Sequence, residues 1–136
     1  MKVPDRLKTL GTWFLLLICF QFNASCDKDS RRKLNHKELM DQGSKLFAQY
    51  GCFTCHSLEG AKMYGPPLDE IYGKEIVVFR GDDTLTVTVD RDYLKRSILD
   101  PGFEKDSAYQ NRTMSLPVIN REDVNILVNY LMELAN

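Results

Sequence analysis

The pentapeptide Cys52-Phe53-Thr54-Cys55-His56 constrains this chain more than any other stretch. Two thiols three positions apart, followed at once by an imidazole, share one turn of backbone and face one site. Several chemistries use part of that pattern. A dithiol redox pair also reads C-x-x-C, but it belongs to a strand-turn-helix within an α/β fold, and no such alternation surrounds it here. A structural zinc site takes four ligands, usually as two separated pairs; only Cys26 or His36 could complete one. A buried cysteine pair would leave the histidine unexplained. The full C-x-x-C-H pattern is the attachment signature of a c-type haem: each thiol adds to one vinyl group, and the adjacent histidine projects at the iron.

With 136 residues the chain has room for one small domain and a leader. Lys2, Arg6 and Lys8 precede an apolar run over 10–22. A bilayer-spanning helix needs about 20 apolar residues, so the run reads as the core of an export signal; the other reading is a buried helix of a globular domain. Asn23-Ala24-Ser25-Cys26-Asp27 follows. Small residues before a cysteine resemble a bacterial lipobox, from which Asn23 departs in place of an aliphatic residue. The resemblance implies a lipoprotein-type signal peptide over 1–25, with Cys26 lipidated and Asp27 favouring retention at the cytoplasmic membrane. Ordinary cleavage near Ser25 and an uncleaved anchor are the alternatives. Cys19 lies in the apolar run and leaves with the leader. Residues 26–38 are polar and charged without periodicity and read as a flexible tether, leaving 39–136 as the folded domain. Removing 1–25 takes away Lys2, Arg6, Lys8 and Asp5, so 15 basic face 18 acidic groups. That balance argues against nucleic acid, which calls for a concentrated basic surface.

The flanks of the pentapeptide are similar to class I cytochrome c. Gly43-Ser44-Lys45-Leu46-Phe47 precedes it, and Gly65-Pro66-Pro67-Leu68 follows, with Pro66 ten residues after His56. Read alone, Gly65-Pro66-Pro67 is a rigid turn. The resemblance implies more: the Pro66 carbonyl accepts the Nδ1 proton of His56 and leaves Nε2 for iron. The segment Asp90-Arg91-Asp92-Tyr93-Leu94-Lys95-Arg96-Ser97-Ile98-Leu99-Asp100-Pro101 resembles, more narrowly, the cytochrome c domain fused to subunit II of some bacterial cytochrome c oxidases. That likeness runs from about residue 40 to the C-terminus and includes no copper-binding domain. It implies an all-α class I cytochrome c fold with a small β-hairpin insertion and crossing N- and C-terminal helices.

The pattern of the remaining residues fits such a fold. Leu39, Leu46, Phe47 and Tyr50 recur near the helical period, as do Val124, Leu127, Val128 and Leu131. Gly43 within the first helix marks a close crossing, with Leu127 or Tyr130 as its partner. Asn120 reads as the cap of the last helix, with Glu122 and Asp123 in its first turn. Strands are predicted at Glu75 to Phe79 and Leu85 to Val89, joined by a turn at Arg80-Gly81-Asp82-Asp83. Asp90 or Asp92 caps a helix that Pro101 stops.

The sixth ligand falls to a methionine if the protein is an electron carrier. Met114 sits in an irregular stretch, 58 residues past His56 and just before the last helix, where class I cytochromes place theirs. Met40 and Met132 fall on helices, Met63 lies on the proximal side, and His36 belongs to the tether. Trp13 is in the leader, so no indole can donate to a haem carboxylate; Tyr93 and Arg96 are favoured over Tyr72 and Arg112 for that part, with ordinary helix-surface residues as the alternative. The functional expectation is one haem c, covalent through Cys52 and Cys55, with His56 and Met114 on its iron. The protein then carries single electrons in a membrane-associated respiratory chain and catalyses no bond-making. A quinol-oxidising complex is the expected donor and a terminal oxidase or reductase the acceptor, at the periplasmic side of the bacterial cytoplasmic membrane. The alternative is a five-coordinate haem sensor or peroxidase-like enzyme.

Overall fold

The computed structural model describes residues 36–135, so the expected signal peptide, Cys26 and the expected tether as far as residue 35 lie outside the described residues. The first helix, α1, spans His36–Gln49. Leu39, Gly43 and Phe47 recur every fourth position and are its buried stripe. It begins three residues before the expected boundary at Leu39. His36, Lys37 and Glu38 carry no apolar signal, yet Lys and Glu are good helix formers and Glu38 sits in the favourable first turn.

After α1 come the hairpin strands β1 (Glu75–Arg80) and β2 (Asp83–Thr88), then α2 (Arg91–Leu99), β3 (Lys105–Asp106) and α3 (Arg121–Leu134). The hairpin is antiparallel, with Ile76 opposite Val87 and Val78 opposite Leu85. Its two-residue loop is Gly81-Asp82, where glycine supplies a φ of 60°. Asp90 caps α2 by accepting the Tyr93 N–H at 2.7 Å. Asn120 caps α3 by accepting the Asp123 N–H at 2.8 Å.

The all-α expectation needs correction. β3 pairs antiparallel with β1 opposite Val78 and Phe79, which turns the hairpin into a three-stranded sheet of order β2-β1-β3. A two-residue strand has no periodicity to read, and its pairing comes from a long-range return of the chain.

The terminal helices pack on each other. A Cβ at Gly43 would lie 2.3 Å from Tyr130 Cγ, so the aromatic ring rests on the bare α1 backbone; Tyr130, of the two expected partners, fills that place. Tyr50, just past α1, donates its hydroxyl to Asp123 at 2.6 Å, and His36 lies 3.3 Å from Glu133 near the other end. Phe47, Val78, Val89, Val124 and Val128 are the deepest side chains. Helices and sheet thus share one core. No helix among the described residues is long and apolar enough to cross a membrane.

Candidate cofactor site

The cysteine pair sits directly after α1. Gly51 takes a left-handed φ of 70°, turning the chain into a short 3₁₀ turn over Cys52–Thr54. The N–H groups of Cys55 and His56 both reach the Cys52 carbonyl, at 3.2 and 2.9 Å. That winding brings Cys52, Cys55 and His56 to the wall of one cleft. Phe53 points the other way and packs edge-on against Phe47, 4.6 Å between ring centroids.

The His56 ring is held from two sides. Its Nδ1 lies 2.8 Å from the Pro66 carbonyl oxygen. A carbonyl can only accept, so Nδ1 carries the proton and Nε2 keeps its lone pair. A Cβ on Gly65 would fall 2.4 to 2.9 Å from three ring atoms, so only glycine lets the loop lie so close to the imidazole. The loop is tied down by Gly65 N–H to the Cys55 carbonyl at 2.7 Å and Leu68 N–H to Ser57 at 2.9 Å. Burial pushes the His56 pKa down, and the hydrogen bond to Pro66 offsets only part of that. The ring is therefore neutral at ordinary pH, as a metal ligand must be. Burial also pushes the Cys52 thiol up.

The cleft has a volume of about 220 Å³. Leu68, Ile71, Leu94, Ile98, Leu127 and Leu131 give it an apolar interior, and Met114, Pro117 and Ile119 line it as well. Among the four described methionines Met114 is the one that lines it. Met40 and Met132 pack against the core, and Met63 is exposed. His36 lies on α1, 70 % exposed at its side chain. Two thiols, a neutral imidazole and a thioether around an apolar slot are a donor set suited to a porphyrin iron. Among the described residues no cluster of His, Cys, Asp or Glu could hold a metal ion in its own right.

Tyr93 lines the cleft, and burial pushes its phenol pKa up, so it remains a donor. Arg96 does not line it. Its guanidinium engages Glu104, with Nε at 3.0 Å and Nη2 at 2.8 Å from Oε1. Arg80 Nη2 meets the other carboxylate oxygen at 2.7 Å. Arg96, expected to face the cofactor's carboxylates, stands in an ion cluster whose shared carboxylate, Glu104, reaches the cleft. Tyr72, also weighed as a donor, packs against the core and is not in the cleft wall. Arg112 does line the cleft, but its Nη1 donates to two backbone carbonyls, Met63 at 2.5 Å and Tyr64 at 2.6 Å. Sequence reasoning missed Glu104 and Arg80, and no local signal marks them. Arg80 lies 24 residues from its partner, at the start of the turn expected over 80–83.

Fold and cleft together define a small protein built to hold a c-type haem. The family model for cytochrome c matches residues 40–135, and the chain belongs to the cytochrome c family. It carries haem c covalently through Cys52 and Cys55 and serves as a haem-based electron carrier with redox proteins as partners. An engineered cytochrome c from Rhodothermus marinus has a similar fold, with a TM-score of 0.51 at 21 % identity over 76 % of this chain and 83 % of that one. No curated protein matches the chain in sequence.

Proposed function

We propose that the protein is a six-coordinate monohaem carrier, with His56 and Met114 as axial ligands, that moves single electrons within a membrane-associated respiratory chain. One observation carries the reading: the His56 imidazole and the Met114 thioether, 58 positions apart in sequence, line the same apolar cleft. Haem, when bound there, supplies an iron that cycles between two oxidation states. The protein's part is to hold that centre. Cys52 and Cys55 anchor it, Pro66 fixes the His56 tautomer, and Tyr93 offers its phenol to a haem carboxylate. Arg96 acts indirectly, by holding Glu104 in the wall. With His56 and Met114 both holding the iron, a bound haem would keep no place for a substrate, so the proposed carrier would catalyse no bond-making.

The resemblance of Asp90 to Pro101 to the oxidase-fused domain supports a terminal oxidase or related reductase as acceptor and a quinol-oxidising complex as donor. The leader and lipobox-like segment support export, lipidation at Cys26 and attachment to the outer face of the bacterial cytoplasmic membrane.

Visible spectra of membrane and soluble fractions, from cells equipped for haem maturation, test this. The expected result is a covalently retained c-type spectrum in the membranes, with the weak far-red band of thioether-ligated ferric haem, lost in Met114→Ala. A high-spin spectrum that shifts at once with carbon monoxide would sink the carrier and favour the sensor or peroxidase-like enzyme. Haem recovered only in the soluble fraction would sink the anchor.

A further inference from the structure

The loop that carries Met114 has little burial to hold it. Residues 111–116 are all exposed, and Leu116 and Val118 are 66 % and 99 % exposed. A thioether is a weak ligand, and a loop this open would let it swing away unless something fixes the backbone beside it. Arg112, two positions before Met114, occupies that place. Its Nη1 donates to the Met63 and Tyr64 carbonyls, on the segment that runs into Gly65 and Pro66 and so supports His56. Its guanidinium also lies against two aromatic rings, 5.4 Å from the centroid of Tyr64 and 5.2 Å from that of Tyr109. Thr113, between Arg112 and Met114, donates its backbone N–H to the Tyr64 hydroxyl at 3.3 Å.

We infer that Arg112 is a positioning residue: it clamps the Met114 loop to the Met63–Tyr64 segment and keeps the thioether at the iron, an inference that rests on the His56–Met114 reading above. The physical case is additive. A guanidinium presents several donors in a fixed fork, whereas a lysine ammonium presents one compact charge. Hydrogen bonds from a charged donor are stronger than neutral ones, and aromatic faces on two sides restrict the side chain further. The bonds span 48 and 49 residues, so one side chain joins the segment that carries Met114 to the one that supports His56 through Pro66. Sequence alone offered Arg112 as a donor to the cofactor's carboxylates; its bonds to the two backbone carbonyls give it a different use.

The test measures carbon monoxide binding to the ferrous holoprotein, which reports how often the methionine leaves the iron, together with the ferric far-red band. Arg112→Ala should bind carbon monoxide about tenfold faster or more, since the closed state loses a charge-assisted anchor, and its far-red band should weaken. Arg112→Lys keeps the charge without the fork and should fall between it and the wild type. It decides the matter alone if the alanine variant fails to accumulate. Met114→Ala, measured in parallel, sets the fully open limit. If Met114→Ala responds while both Arg112 variants match the wild type, the clamp is overturned and the ligand reading stands. If Met114→Ala matches the wild type, both fall.

Discussion

Glu104 is the most deeply placed charge among the described residues, with 1 % of its side chain exposed. Burial alone would push its carboxyl pKa up. The hydrogen bonds and charges of Arg80 and Arg96 outweigh that and hold it below the usual carboxylate range. The two arginine side chains are 40 % and 43 % exposed, so water screens part of each pair. Because the folded pKa is the lower one, Glu104 contributes stability that is present above the ordinary glutamate value of about 4.3 and is lost as pH falls through the folded value. Glu104→Gln should therefore unfold more easily at neutral pH by about 1–3 kcal/mol. Denaturant titrations at neutral pH and in the acid range check this. The gap between variant and wild type should close below pH ~4, and a gap that stays constant across that range would mean the carboxylate charge is not its source.

Helix ends tell a different story from helix faces. The Asn120 side chain both accepts from the Asp123 N–H and donates to Asp123 Oδ2 at 2.8 Å. Tyr50 donates to that same oxygen from the end of α1. The cap of α3 is thus also a tie between the terminal helices. Asn120→Ala should lower stability by about 1 kcal/mol, read as a fall of ~4–8 °C in the melting midpoint of a domain this size. No measurable change would show that the cap is replaced by water. Capping residues were legible because their chemistry is local: Asn120 and Asp90 stand where a side-chain oxygen must precede a periodic apolar run. The faces of α1 and α3 were legible from the spacing of Leu39, Phe47, Val124 and Val128. The start of α1 and the whole of β3 were not, since neither His36–Glu38 nor Lys105–Asp106 shows an apolar period. The same division holds in the cleft. Pro66 follows from its nearness to His56, whereas the Arg80–Glu104 pair and the clamp at Arg112 join positions 24 to 49 residues apart, which no local pattern announces.

At the scale of the whole molecule, core and cofactor site are one structure. Phe47, Ile71, Leu94, Leu127 and Leu131 belong both to the packed core and to the cleft wall. The cleft opens to solvent, so without haem that apolar wall meets water instead of packed atoms. A small domain's entire stability is only about 5–15 kcal/mol, so losing that burial weighs heavily. The Cys52→Ala/Cys55→Ala chain, unable to retain haem covalently, should accordingly lose cooperative thermal unfolding and show faster amide exchange in α1 and α3 than the holoprotein. Full cooperativity without haem would show that the protein packing suffices by itself.

The hairpin stands apart from this economy of shared walls. None of the residues from Glu75 to Thr88 lines the cleft, and its loop, Gly81-Asp82, is exposed. The hairpin meets the cleft wall only through the Arg80–Glu104 pair and the pairing of β1 with β3, so chain length can change at the exposed loop itself. A fluorophore or affinity peptide spliced in at Asp82 would travel with the protein, giving an optical handle for following it to whatever it meets, provided the Arg80–Glu104 pair beside the loop is kept.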